Sequence, residues 1–320
     1  MKITAYREKF DLKRPFIIAR GKRTHAEVIR VELEEDGVNF EGECSPTLRY
    51  GETVESVMEQ IGSLKGRFAS GPVTREALVE LLPPGAARNA LDAALWKYDI
   101  CCQKVKPFSL PGSLETAMTV SIGTPEEMAM EAEQYVRDGA SLLKIKLNND
   151  AVTERLKAVR NVAPDCRIIV DANEAWQEQD LIQNLNAAFT HGIAMVEQPL
   201  PAGNDDFLLN LKSPIPLCAD ESFHTRRDLP GLKSKYQMVN IKLDKTGGLT
   251  EALKCADEAQ KAGLDYMVGC MLGTSLAMTD ALPVAIEAKF IDLDGAYLLA
   301  EDRPTPLQYI NGRIQIPRPA

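Results

Sequence analysis

The sequence predicts a (β/α) barrel preceded by a smaller α+β lobe, and three observations predict it. From residue 116 onward, eight short apolar runs recur with helix-length segments between them. Polar residues near the ends of five successive runs, Lys146, Asp171, Glu197, Asp220 and Lys242, are 25, 26, 23 and 22 residues apart, which is the length of a strand-plus-helix unit in a parallel sheet. Residues 1 to about 112 instead alternate as antiparallel strands do and then turn helical.

In chain order, "MKITAYREKF" and "AEVIRVELEEDGVNFEGECSP" read as antiparallel strands, with Asp36-Gly37 as a hairpin turn. Two helices are expected next, in "TVESVMEQIGSLKGRFA" and "AARNALDAALWKYDICCQ", and "PFSLPGS" reads as the junction to the barrel. The eight runs are "TAMTVSIG", "LLKIKL", "RIIVDAN", "AMVEQP", "PLCADE", "MVNIKLD", "YMVGCML" and "FIDLDG". Intervening segments such as "TPEEMAMEAEQYVRDGA" begin with Thr-Pro and carry a glycine stop, the signals of a helix start and end. Eight such units suggest a closed barrel, although a doubly wound sheet gives similar local patterns. The tail "LQYINGRIQIP" reads as a hairpin through Asn311-Gly312 that returns to the first lobe. The expected domains are thus 1–112, joined by the 296–320 tail, and 113–295.

Composition narrows the function. A net charge of −9 without a basic patch argues against nucleic acid or an anionic membrane as partner. The charged amino terminus and the lack of a long apolar run lead to a cytoplasmic expectation. Seven scattered cysteines without a C-x-x-C pair read as reduced thiols, and three histidines without helical pairing make a histidine-ligated zinc site a poor expectation. Nucleotide-binding glycine motifs and the G-x-S-x-G elbow are absent.

The chemistry collects at strand ends. In a barrel, the carboxyl ends of all strands meet at one mouth, so Asp171, Glu197 and Asp220 would converge there. Their repulsion and desolvation call for a cation, and an all-oxygen set selects a hard divalent ion such as Mg²⁺. The plainer alternative is that each carboxylate caps a helix or meets an arginine. Lys144 and Lys146, on one face of the second run, and Lys242 in the sixth would then flank the metal from opposite walls. Lysines near a divalent cation are expected to have lowered pKa values and to serve as general bases; taken singly, each could equally be a snorkelling surface lysine. Two bases facing each other across a bound carbon can take a proton from one face and return one to the other, which is racemase logic, with the metal stabilising the enolate between.

These residues carry a resemblance. "KIK", "VDAN", "VEQP", "ADES" and "NIKLDKTGG", with "GECSP" and "RYGE" in the first lobe, resemble the enolase superfamily, most closely its L-Ala-D/L-Glu dipeptide epimerases, over nearly the whole chain. The resemblance implies an α/β fold, a modified TIM barrel of (β/α)₇β type with an α+β amino-terminal capping domain. It also implies one Mg²⁺ per subunit on Asp171, Glu197 and Asp220, with Lys146 and Lys242 as acid/base residues and Lys144 supporting the enolate charge. The implied setting is murein peptide catabolism.

"DLDG" places Asp292 and Asp294 on one face and resembles the element that holds the substrate ammonium in this family; an acidic solvent loop is the alternative. "ARGKRTHAE" and "SPTLRYGET" correspond to its capping loops and supply Arg20, Lys22, Arg23 and Tyr50, with Arg23 favoured for a glutamate side chain. The expected partner is a small dipeptide, with homo-oligomerisation left open. The rival readings are another enolate reaction, cycloisomerisation or o-succinylbenzoate synthesis, and a non-catalytic metal-binding barrel.

Overall fold

The computed structural model describes residues 1–317. Its first unit is an antiparallel sheet of β1 (Lys2–Ile18), β2 (Gly21–Glu35) and β3 (Val38–Cys44), in that order, with Asp36-Gly37 as the β2–β3 turn. Four helices follow: α1 (Val54–Ser63), α2 (Lys65–Ala69), α3 (Arg75–Leu81) and α4 (Ala86–Cys101). The expectation of two helices is therefore corrected. Glycines at 62 and 66 weaken the first helical stretch, which breaks at Leu64. Thr74, whose hydroxyl accepts from the Ala77 amide, starts a helix not anticipated. Helix α4 lies directly on β3: a Cβ at Gly42 would come within 2.0 Å of the Ala90 carbonyl oxygen, so only glycine permits this approach.

After β4 (Ser113–Glu115) come eight parallel strands, hydrogen-bonded in chain order: β5 (Met118–Val120), β6 (Leu142–Lys146), β7 (Arg167–Asp171), β8 (Met195–Glu197), β9 (Leu217–Ala219), β10 (Met238–Ile241), β11 (Asp265–Gly269) and β12 (Phe290–Asp292). The ring closes where the Ala117 amide donates to the Ile291 carbonyl (2.7 Å) and the Leu293 amide to the Thr116 hydroxyl (2.9 Å). Helices α5 (Pro125–Arg137), α6 (Val152–Val162), α7 (Glu178–Thr190), α8 (Leu229–Leu232), α9 (Leu243–Thr246), α10 (Leu249–Lys261) and α11 (Ser275–Ala285) cover it. Helix α5 begins with the reciprocal bonds of a capping box between Thr124 and Glu127. A short 3₁₀ segment (Asp206–Asn210) replaces a helix after β8, and none follows β12, which makes the barrel (β/α)₇β in type.

Side chains alternate along each strand. Ile145, Val170, Val196 and Val239 point out and pack under the helices. Leu142, Ile169, Met195, Cys218, Met238, Met267 and Phe290 point in and fill the amino-terminal end as an apolar plug. Two residues further along, the same inward face becomes polar: Lys144, Asp171, Glu197, Asp220, Asn240 and Asp292. The plug supplies burial, and the layer above it gathers the charged side chains.

The tail does not behave as one piece. Residues near 298–303 touch the lobe, through Lys13 amide to Leu298 carbonyl (3.0 Å) and Ala300 amide to Asp11 carbonyl (2.8 Å). The hairpin of β13 (Gln308–Ile310) and β14 (Arg313–Gln315), expected to return to the lobe, pairs with β4 instead. That register buries Ile314 in the main barrel core. Residues 318–320 of the anticipated tail lie outside the described residues.

Candidate active site

The register of the barrel strands builds the site. Lys146, Asp171 and Glu197 are successive neighbours across β6, β7 and β8, and Asp220 stands two residues beyond Cys218, the neighbour of Glu197 on β9. Lys144 Nζ lies 2.7 Å from Glu197 Oε2, 2.7 Å from Asp292 Oδ2 and 3.1 Å from Asp171 Oδ2. Lys146 Nζ is 2.6 Å from Asp171 Oδ2, and Lys242 Nζ is 2.7 Å from Asp220 Oδ2. In an eight-strand ring, β6 and β10 are four steps apart, so Lys146 and Lys242 rise from opposite walls. A side chain at Gly269 on β11 would come within 3.0 Å of Lys242 Cε, so glycine leaves room for that stem.

Electrostatics among the protein groups alone favour charged lysines. Burial opposes the charge on Lys144, yet the pull of Asp292, Glu197 and Asp171 exceeds it and raises the pKa well above that of an ordinary lysine. Lys242 is likewise raised, burial being outweighed by Asp220 and Glu197. At Lys144 and Lys242 the neighbouring carboxylates hold the ammonium form, and a cation on those carboxylates would weaken that hold. Asp171 and Asp220 are held below the usual carboxylate range: burial is outweighed by Lys146 and Lys144 at Asp171, and by Lys242 and Lys245 at Asp220. Glu197 is pushed up by burial and then by Asp171.

Among the described residues, no three His, Cys, Asp or Glu side chains already surround one point. The lysines occupy the space between the acids. The donors nevertheless fit a hard cation: three buried carboxylates on adjacent strands, of which Glu197 Oε2 receives no well-formed hydrogen bond and Glu197 is protonated more readily because burial, and then Asp171 and Asp220, oppose its charge.

Above them is a cavity of about 700 Å³, including its opening. Lys144, Lys146, Lys242, Asp220, Asp292 and Asp294 line its floor and wall, and Phe16, Ile18, Arg20, Arg23 and Tyr50 come from the lobe. The stretch read as a capping loop at 19–27 is largely the end of the β1–β2 hairpin, with Phe16 paired to Arg23. The Arg23 side chain has no ion pair or hydrogen bond among the described residues; burial, followed by repulsion from Arg20, lowers its pKa. Arg20 lines the cavity and is paired with Glu221 (2.7 Å) and Glu174 (3.1 Å). Tyr50 packs edge-on against His224, with ring centroids 4.6 Å apart, and Lys22 does not line the cavity. Asp292 Oδ1 has no partner, and Asp294, which accepts from the Thr119 amide (2.7 Å), is pushed up to about 7 by burial and by Asp292.

Several residues escaped the sequence reading. Lys245 Nζ lies 2.6 Å from Asp220 Oδ1; its position three residues after Lys242, at helical spacing, was the available signal. Asn240 donates to Glu197 Oε1 (2.7 Å) from the same face of β10 as Lys242. Glu221 beside Asp220, and Arg49 within "RYGE", stood inside quoted motifs without a role of their own.

Residues 127–319 match the enolase C-terminal domain-like family. Together with the (β/α)₇β barrel, the match defines a member of the enolase superfamily. Within it, the chain belongs to the dipeptide epimerases and is an isomerase of that kind. It is 48% identical to the L-Ala-D/L-Glu epimerase of Escherichia coli (strain K12), over 98% of this chain and 99% of the relative. It is 44% identical to an N-acetyl-D-glutamate racemase of Pseudoalteromonas sp, over 85% of this chain and 87% of the relative. A solved structure of an enolase family member from Agrobacterium tumefaciens with homology to dipeptide epimerases, with bound sodium and L-Ala-L-Glu, superposes with a TM-score of 0.94 at 43% identity, over 99% and 98% of the two chains.

Proposed function

We propose that this epimerase inverts the α-carbon of the carboxyl-terminal residue in L-Ala-D/L-Glu-type dipeptides, requires Mg²⁺, and serves cytoplasmic catabolism of murein peptides. The observation that carries the reading is the pairing of opposed lysines with two kinds of recognition group in one cavity: Asp292 and Asp294 for an ammonium, and the unpaired Arg23 for a carboxylate.

Asp171, Glu197 and Asp220 would hold the metal. When bound, it supplies positive charge that neutralises these carboxylates, lowers the proton affinity of the adjacent lysines and attracts a substrate carboxylate. Asp292 and Asp294 accept hydrogen bonds from the substrate's free amino terminus, and Arg23 meets the glutamate side chain. Lys146 or Lys242, whichever is neutral, takes the α-proton. The C–H electron pair passes into the neighbouring carboxylate, where Lys144 offsets the charge. The opposite lysine, protonated, delivers its proton to the other face, and a new C–H bond completes inversion. Phe16 and Ile18 exclude water from the reacting carbon.

A second reading, racemisation of an N-acetylated glutamate, is favoured by the 44% identical relative. The two differ in their amino-terminal part: N-acetylglutamate keeps the amide on the reacting residue but lacks the alanyl α-ammonium, and so offers no charge to Asp292 and Asp294. Incubation with L-Ala-L-Glu, followed by NMR, and with N-acetyl-D-glutamate, followed by polarimetry, decides between them. Interconversion of L-Ala-L-Glu with L-Ala-D-Glu is expected, and inversion of N-acetylglutamate alone would replace the dipeptide reading.

A further inference from the structure

Glu174, on the loop after β7, does not line the cavity, yet both capping segments converge on it. Its Oε2 accepts from Arg49 Nε (2.7 Å) and Arg20 Nη1 (3.1 Å), and its Oε1 from Arg49 Nη2 (2.6 Å) and the Ala202 amide (2.8 Å). Arg49 therefore binds as a bidentate fork, the geometry that gives guanidinium–carboxylate pairs their strength and direction. Arg20 stands at the tip of the β1–β2 hairpin, between the cavity residues Ile18 and Arg23, and Arg49 directly precedes Tyr50.

The anchor is rigid. Asn173 (φ 44°) and Glu174 (φ 68°) are consecutive non-glycine residues in the left-handed region, a conformation that persists only where the surroundings impose it. Here the Asn173 amide donates to Asp171 Oδ1 (2.9 Å) and the Glu174 amide to the Gln198 carbonyl (2.9 Å). The two arginines differ from it in exposure: their side chains are 35% and 36% exposed, against 9% for Glu174. Water can take over the guanidinium groups when the segments lift, while the carboxylate stays in place.

We infer that Glu174 is a positioning residue whose carboxylate latches both capping segments to the barrel rim and so sets Arg23 and Tyr50 over the cavity. The inference rests on this cavity being the substrate site, and not on which dipeptide fills it. Removing the latch should loosen the two segments together and weaken substrate capture more than the proton transfers.

The test is hydrogen–deuterium exchange of the full-length Glu174→Gln protein without substrate, read in peptides covering residues 16–24 and 47–51, with α6 as control. Exchange about tenfold faster in both segments and unchanged in α6 is expected. With L-Ala-L-Glu, KM should rise roughly tenfold while kcat falls less than about threefold, the pattern of lost uniform binding. Unchanged exchange in either segment overturns the latch, as does a fall in kcat alone, which would place Glu174 in support of Asp171. Should the control helix also loosen, Arg49→Lys, which keeps the charge but breaks the fork, is judged by the same criteria. Failure of the wild-type protein to turn over L-Ala-L-Glu would count against the proposed substrate and leave the exchange result standing.

Discussion

Lys242 Nζ and Asp220 Oδ2 are 2.7 Å apart, and each fixes the other's protonation state. With only protein groups present, Lys242 is an ammonium and cannot act as a base. A cation on the three carboxylates would compete for the same charge, and this ties basicity to metal loading.

Activity should accordingly be lost on exhaustive chelation and restored by Mg²⁺ or Mn²⁺. The expected loss is on the order of a thousandfold or more, the scale of several kcal/mol of charge stabilisation. Full turnover in a protein shown by elemental analysis to be free of divalent ions would sink the metal assignment.

Lys146→Ala and Lys242→Ala should each stop epimerisation, with a loss of roughly 10²-fold or more. Because the two lysines stand on opposite walls, each variant should keep α-deuterium exchange with one stereoisomer only, and the two patterns should be complementary. NMR in deuterium oxide reads both quantities. Epimerisation near the wild-type rate in either variant would rule out the two-base scheme.

Asp294→Asn should lower kcat/KM for L-Ala-L-Glu by about 30-fold to several thousandfold, the range for breaking a desolvated charge-assisted pair at about 2–5 kcal/mol. N-acetyl-L-Ala-L-Glu should be a poor substrate for the wild type for the same reason. Metal affinity, measured by titration calorimetry, should be unchanged in the variant. Equal turnover of the acetylated and free dipeptides would remove the ammonium role.

Asp244 offers a test of stability against pH. It is half-buried between the lobe and the barrel, accepting from Asn89 Nδ2 (2.9 Å) and the Ser45 amide (3.1 Å), and desolvation pushes its pKa up to about 7. An acid raised in the folded state binds more protons folded than unfolded between about pH 4 and 7. Its contribution is therefore fully present below that window and is lost as pH rises, by roughly 1.4 kcal/mol per unit. Asp244→Asn keeps the accepting oxygen and removes the titration. Urea unfolding at pH 5 and pH 8 should show the variant gaining on the wild type at the higher pH; parallel curves would contradict this.

The barrel and its inward polar layer are legible because both follow from period. Inward residues recur every second position along a strand and every unit along the chain, so Lys146, Asp171, Glu197, Asp220 and Lys242 announce a common face before any coordinates exist. Pairings between distant loops have no such period. Nothing local in "RYGE" or "DANE" says that Arg49 meets Glu174, or that Arg20 is already engaged by Glu221. The tail hairpin was visible from Asn311-Gly312, but its partner strand was not, since turn chemistry specifies a hairpin and says nothing about the sheet edge it joins.

The apolar plug at the base of the barrel makes the site a cul-de-sac. Side chains from successive strands, Leu142 through Phe290, stop that end, so the described residues leave the lobe side as the way in. Substrate and product must use one doorway in turn, and so must any solvent hydrogen that re-protonates a spent lysine. How much isotope from the medium enters product in a single visit thus becomes a clock for how long the doorway stays shut.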